Sequence, residues 1–129
     1  MAALTDYAEN LILDWLLTAG AATRPSAWYV ALHTAAPSDS NPSNGELSGD
    51  GYARQSVTFS AASSGATANT ADLDFGPASG NWGEITHFSV WSASSGGNAL
   101  LHGALSAPVT INTNDSFKVP AGDLDVTAA

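Results

Sequence analysis

The sequence predicts a mainly β fold, an antiparallel β-sandwich or barrel of about seven strands with one N-terminal α-helix. Three observations predict it. Apolar residues recur at helical spacing only near the N-terminus. From residue 27 onward the pattern switches to period-two alternation in short runs. Clusters of Gly, Pro, Asn and Ser separate those runs at roughly 8–15-residue intervals, the punctuation of an all-β chain.

Residues 4–19 form the predicted helix. Thr5 or Asp6 can cap it, Asp6 and Glu9 have the spacing of a capping box, and both acids suit the positive end of the helix dipole. Leu4, Ala8, Leu11, Ile12, Trp15 and Leu16 make one apolar face, and Gly20 stands where a C′ residue belongs. Leu13 and Leu17 fall outside that face. A helix apolar on more than one side touches two things. Either both belong to its own domain, or Leu13 and Leu17 meet another subunit.

After Pro25, residues 27–34 alternate, with Trp28, Val30 and Leu32 on one face and Tyr29, Ala31 and His33 on the other. Residues 35–51 hold Pro37, Pro42, Asn44-Gly45, Gly49 and Gly51 and read as a long loop, functional or mobile. Further strands are expected at 52–59, 66–75, 83–92, 98–105, 108–112 and 116–126. The 83–92 and 98–105 runs make a hairpin around Ser94–Gly97, Asn112–Asp115 makes a turn, and Pro120–Gly122 makes a break or bulge. Length and pattern fit a single domain over residues 1–129, with a β-sandwich at 27–126.

Composition narrows the function. Charged residues make up 12% of the chain, about half the usual 25% or so, so the surface is built from small neutral side chains suited to packing against neighbours. The net charge is −9 with only Arg24, Arg54 and Lys118 positive, which excludes nucleic acid held by counterion release and disfavours anionic membranes. The apolar stretch 11–22 is interrupted by Asp14 and too short to span a bilayer, and the first residues lack the basic region of a secretory signal. There is no cysteine, hence no disulfide.

The chemistry-bearing residues point away from catalysis. No Gly-x-Ser-x-Gly turn exposes a nucleophile, so no catalytic residue is assigned. His33, His87 and His102 have no ligand-like spacing; each is expected to have a backbone or hydroxyl partner in a half-buried sheet, and no metal or cofactor is expected. Asp39, Glu46 and Asp50 match no EF-hand and read as a solvated acidic loop. The pairs Asp72/Asp74 and Asp123/Asp125 point to one wet face each. Trp15, Trp28, Trp82 and Trp91, with Tyr7, Tyr29 and Tyr52, raise a sugar-stacking platform as a remote alternative. Trp15 and Trp28 read as core, and Trp82, following a Gly/Ser/Asn turn, reads as exposed.

Five segments occur in order along nearly the whole chain: Leu-Thr-Asp-Tyr-Ala-Glu-Asn at 4–10, Tyr-Val-Ala-Leu-His-Thr-Ala-Ala-Pro at 29–37, Gly-Tyr-Ala-Arg-Gln at 51–55, Trp-Gly-Glu-Ile-Thr-His-Phe at 82–88, and Gly-Gly-Asn-Ala-Leu-Leu-His-Gly-Ala-Leu at 96–105. In these the chain resembles a family of small tailed-bacteriophage virion proteins, described as tail fibre, minor tail or generic structural proteins. The resemblance implies a structural role in the virion and carries over no catalytic residue. A long fibrous shaft does not fit one short domain. The favoured expectation, since no segment looks built to grip a coaxial partner, is a capsid decoration or cement protein clamping the outer shell. The alternative is a small tail or baseplate protein adapting a fibre to its socket. The expected partners are other virion proteins, the major capsid protein or tail proteins, with assembly as a homo-oligomer such as a trimer. Contacts are expected from Leu13 and Leu17 on the helix, from Asp39, Asn44 and Glu46 in the long loop, and from Trp82. Deleting 39–48 is then expected to spare the fold and weaken particle binding.

Overall fold

Alternating apolar residues draw the chain between 83 and 111 into a long antiparallel hairpin, and the rest of the molecule is arranged around it. A computed structural model describes residues 2–127. In chain order it contains β1 (Ala2–Leu4), α1 (Asp6–Leu17), β2 (Tyr29–His33), β3 (Gln55–Ser56), β4 (Ala66–Ala68), β5 (Leu73–Phe75), β6 (Gly83–Trp91), β7 (Ala99–Ile111), β8 (Phe117–Val119) and β9 (Asp125–Thr127). The hairpin is β6–β7. A five-stranded antiparallel sheet runs β1-β7-β6-β2-β3, and two short ladders, β4-β9 and β5-β8, make the second layer. The fold is mainly β with one N-terminal helix, as the sequence predicts, but the sandwich is open along one side.

The core lies between the layers. Val30, Leu32, Ile85, Phe88, Val90 and Leu101 from the large sheet meet Leu73, Phe75 and Leu124 from the second layer. Each such side chain contributes about 1.5–3 kcal/mol of burial. Strand β2 is buried on both faces, because Ala31 and His33 turn to the other side of the sheet. There Ala31 packs with Trp91 and Ala99.

Several expected strands have different bounds. The 66–75 run divides into β4 and β5, which join different ladders. The cause is Asn69, which is buried between them and turns the chain. Its amide donates to Ala71 O (2.9 Å) and Pro120 O (3.0 Å), and its carbonyl accepts from Leu124 N (2.9 Å). The 98–105 and 108–112 runs fuse into β7. Ile85 faces Val109 and His87 faces Ala104, so residues 105–108 oppose Thr86 alone in a bulge that carries Pro108, which has no N–H to offer. The 116–126 run breaks at Pro120–Gly122 into β8 and β9, and 52–59 retains only β3 as strand. Strand β1, which the helical reading of Leu4 concealed, pairs with β7 through Leu4↔Leu101.

Candidate functional site

Two regions flank the sheet, and their burial and tethering differ from the expectation. The first is the N-terminal arm. Thr5 is the helix N-cap: its Oγ1 accepts from Ala8 N (3.3 Å) and donates to Ala99 O (2.7 Å), while its own N–H donates to Leu100 O (3.0 Å). Capping therefore falls to Thr5, and no Asp6–Glu9 box forms. These bonds root the helix on β7. Beyond the root it leaves the sheet behind, and Ala8 is its only buried residue. Trp15 is 70% exposed and Leu17 76%, and Tyr7, Ile12, Leu13 and Leu16 are exposed as well. The expectation that Trp15 belongs to the core is corrected: the sheet ends before reaching it. After the helix, residues 18–28 run on without regular structure to β2. Leu11, Trp15, Ala22 and Arg24 enclose a small cleft between helix and linker.

The second region is the long loop, expected to be solvated and free. It is clamped. Leu47 N donates to Leu32 O (3.0 Å), Thr34 N donates to Gly45 O (3.0 Å), and His33 bridges Glu46 as a further rung beside β2. Glu46 takes a bidentate pair from Arg54, Nε to Oε2 and Nη2 to Oε1 at 2.8 Å each, with Tyr52 Oη donating to Oε2 (3.0 Å). The Arg54 side chain is only 8% exposed. Its guanidinium lies 4.1 Å from the centre of the Trp91 ring and donates to Ala93 O and Gly96 O. One arginine thus ties the loop to the tip of the β6–β7 hairpin. Burial pushes the Glu46 carboxyl up, but the Arg54 hydrogen bonds and charge and the Tyr52 hydroxyl together outweigh it and hold the group below its ordinary value. Burial also pushes the Tyr52 hydroxyl well above its usual range.

Behind this pair runs a second polar chain. Asn44 O accepts from His33 Nδ1 (2.8 Å), which fixes the proton on that nitrogen. His33 Nε2 then accepts from Ser89 Oγ (2.7 Å), and Ser89 Oγ accepts from Trp91 Nε1 (2.6 Å). Every member is satisfied with a neutral imidazole, and burial holds His33 below its ordinary value. The Ser–His contact resembles a nucleophile and its base. Both side chains are fully buried, so no substrate reaches them.

The expected contact residues therefore separate. Leu13 and Leu17 are exposed on the arm. Asp39 stays at the surface and its Oδ1 lies 2.8 Å from His102 Nε2, so His102 has a carboxylate partner rather than a backbone or hydroxyl one. Asn44 donates its amide to Ala36 O (3.0 Å), and Glu46 is committed to Arg54. Trp82 is corrected: it is buried, its ring edge-on to Tyr52 and its Nε1 donating to Asp50 O (2.9 Å). Trp91 is buried too, which removes the sugar-stacking platform raised for these two rings. Sequence reasoning missed Arg54 as the organiser. Its signal was present, since one of only three cations in a chain with twelve acids, set in a β run, has to be paired when it is buried.

A third feature has no counterpart in the sequence reading. Where the sandwich stays open, a cleft of about 840 Å³ lies between the β7 bulge and the β8–β9 segment. Leu105, Val109, Phe117 and Val119 line it, with Asp123 and Asp125 at its rim. Among the described residues no strand pairs with the outer edge of β7 past Gly103. No three His, Asp or Glu side chains of the described residues gather into a metal-binding group, and no described helix is long and apolar enough to cross a membrane.

A family model described as "Podophage GP4 fiber I protein gp80" matches residues 3–127. No curated protein matches the chain.

Proposed function

The chain belongs to this podophage fibre family, a family of virion structural proteins, and from that premise we propose that it is a small fibre or tail component that acts by docking its N-terminal arm against other virion proteins. The observation that carries this reading is the arm itself. Six large apolar side chains, Tyr7, Ile12, Leu13, Trp15, Leu16 and Leu17, stand exposed on one 12-residue helix. Monomers rarely leave so large an apolar patch open. The sequence argued for capsid cement partly because no segment looked built to grip a coaxial partner. The projecting helix is such a segment, and it moves the preference to the tail-fibre adaptor.

The helix supports a multi-sided contact. From Leu11 to Leu17 only Asp14 is polar, so apolar groups point in nearly all directions. A single flat partner covers one stripe; a socket or a ring of copies covers more. Leu13 and Leu17 are the proposed centre of this contact, in a homo-oligomer such as a trimer. The cement reading keeps the same interface but seats it on the major capsid protein.

Gold labelling of the C-terminus in purified particles, read by electron microscopy, tests this. Label on the tail or its fibres is the expected result. Label spread over the head restores the cement assignment, and particles without label remove the structural role altogether.

A further inference from the structure

The arm and the open cleft are complementary features of one chain. Trp15, Leu16 and Leu17 form an apolar knob with no cover in their own subunit, and Arg24 stands beside Trp15. The cleft is an apolar hollow lined by Leu105, Val109 and Phe117, with Asp123 and Asp125 at its mouth. Its volume of about 840 Å³ lies in the range of roughly 300–1,000 Å³ that receives a ligand-sized apolar group.

Charge points to the occupant. Of the three cations, Arg54 is spent on Glu46, and Lys118, also at the cleft, faces Asp72 at 3.6 Å. Arg24 is the one cation with no acidic partner among the described residues, and it sits on the knob. The acids without a basic partner at the cleft mouth are Asp123 and Asp125. An apolar group flanked by a cation therefore matches an apolar hollow flanked by carboxylates. At physiological salt, charges more than about 8 Å apart are screened, so the net charge of −9 does not oppose such a local match.

We propose that the arm of one copy seats Trp15, Leu16 and Leu17 in the β7–β8 cleft of the next copy, with Arg24 against Asp123 and Asp125, so that copies join head to tail. This rests on the structural-subunit reading above. The contact uses different surfaces on its two sides, so it is heterologous. Such contacts close into rings or extend into filaments. A helix-to-helix contact, by comparison, would use the same surface twice.

Mixing variants separates the two geometries. Trp15→Ser/Leu17→Ser removes the knob at exposed positions. Ala107→Trp blocks the cleft from an exposed residue of the β7 bulge. By sedimentation velocity the wild-type chain should rise above its 13.1 kDa monomer mass with concentration, and each variant alone should remain at that mass. A one-to-one mixture of the two should give dimers and nothing larger, because each pair retains one intact knob and one intact cleft. A mixture that stays monomeric, an Ala107→Trp chain that assembles like wild type, or a wild-type chain that never exceeds monomer mass overturns the proposal. Near-UV circular dichroism checks that each variant is folded. Should Ala107→Trp misfold, charge reversal replaces it: Arg24→Glu weakens assembly about tenfold, and Asp123→Lys/Asp125→Lys in the same chain restores it. Absence of that rescue is equally decisive against the contact. Label on the fibre with a failed mixing test refutes head-to-tail joining alone, whereas successful mixing with unlabelled particles refutes the virion role alone.

Discussion

The arm and the clamped loop differ in a way that reverses their sequence signatures. The arm is rich in Leu, Ile and Trp and looks like core, yet it stands in solvent. The loop is rich in Pro, Asn, Ser and Gly and looks like free surface, yet it is tied down by Arg54, His33 and Tyr52. Hydrophobicity along a segment states only that something must cover it. It does not state whether the cover is the same chain. Likewise, small polar residues state that a segment makes few apolar contacts, while a few buried hydrogen bonds suffice to fix it.

If the loop is a structural clamp and the arm an attachment device, damage to each should register in different assays. The largest effect is expected from deleting 39–48. This removes Glu46 and leaves Arg54 buried and unpaired, so cooperative thermal unfolding should be lost, contrary to a dispensable loop. Retention of a sharp transition would return the loop to the role of free surface. Next, Glu46→Ala should cost about 3–5 kcal/mol, the usual penalty for stranding one member of a buried ion pair. Urea unfolding reads this directly.

Gly45→Ala comes third. Gly45 has φ +74°, and a Cβ there would lie 2.7 Å from Ala35 N. A loss of about 1–3 kcal/mol is expected, read from the same titration. A smaller effect should appear with pH. His33 is held below its ordinary value when folded, so the unfolded chain takes up the proton first as pH falls through about 6.5. Its contribution is complete above that pH and drains as pH falls toward the folded value, with a slope of at most about 1.4 kcal/mol per pH unit. Glu46 is also depressed, so its contribution persists above its unfolded value of about 4.3 and is lost as pH falls through the folded one. His33→Gln should flatten the upper limb alone. The smallest stability change belongs to the arm: Leu13→Ser/Leu17→Ser should leave unfolding of the isolated chain within about 0.5 kcal/mol while abolishing incorporation into particles.

The parts of the fold that were legible are those whose pattern is decided locally. The β6–β7 hairpin announces itself by two alternating runs and a Ser/Gly turn, and the helix by its period and Thr5. The second layer was legible only as β-like runs. Asn69 divides one run into two ladders through bonds to Ala71, Pro120 and Leu124, and the partner near residue 120 lies some fifty positions away. The fusion of two expected strands into β7 depends on a bulge that accommodates Pro108, which a reading of period alone takes as a break. On the arm, the exposure of Leu13 and Leu17 was foreshadowed because they fall off the helical stripe. Trp82 was misjudged because its neighbours are turn residues, while its cover comes from Asp50, in the loop that was itself read as free, and from Tyr52 just after it. The cleft has no local signature at all, since it is a gap between strands distant in sequence.

Thr5 has a mechanical consequence. The helix extends about 18 Å from it at 1.5 Å per residue, and the bonds to Ala99 and Leu100 concentrate at that one threonine. A pull on the tip is therefore delivered as torque first to this bolt and the short β1–β7 ladder behind it, while the long antiparallel β6–β7 seam of the central hairpin spreads the load over a longer ladder. Under tension the bolt should shear before the seam, leaving a tethered but intact sheet.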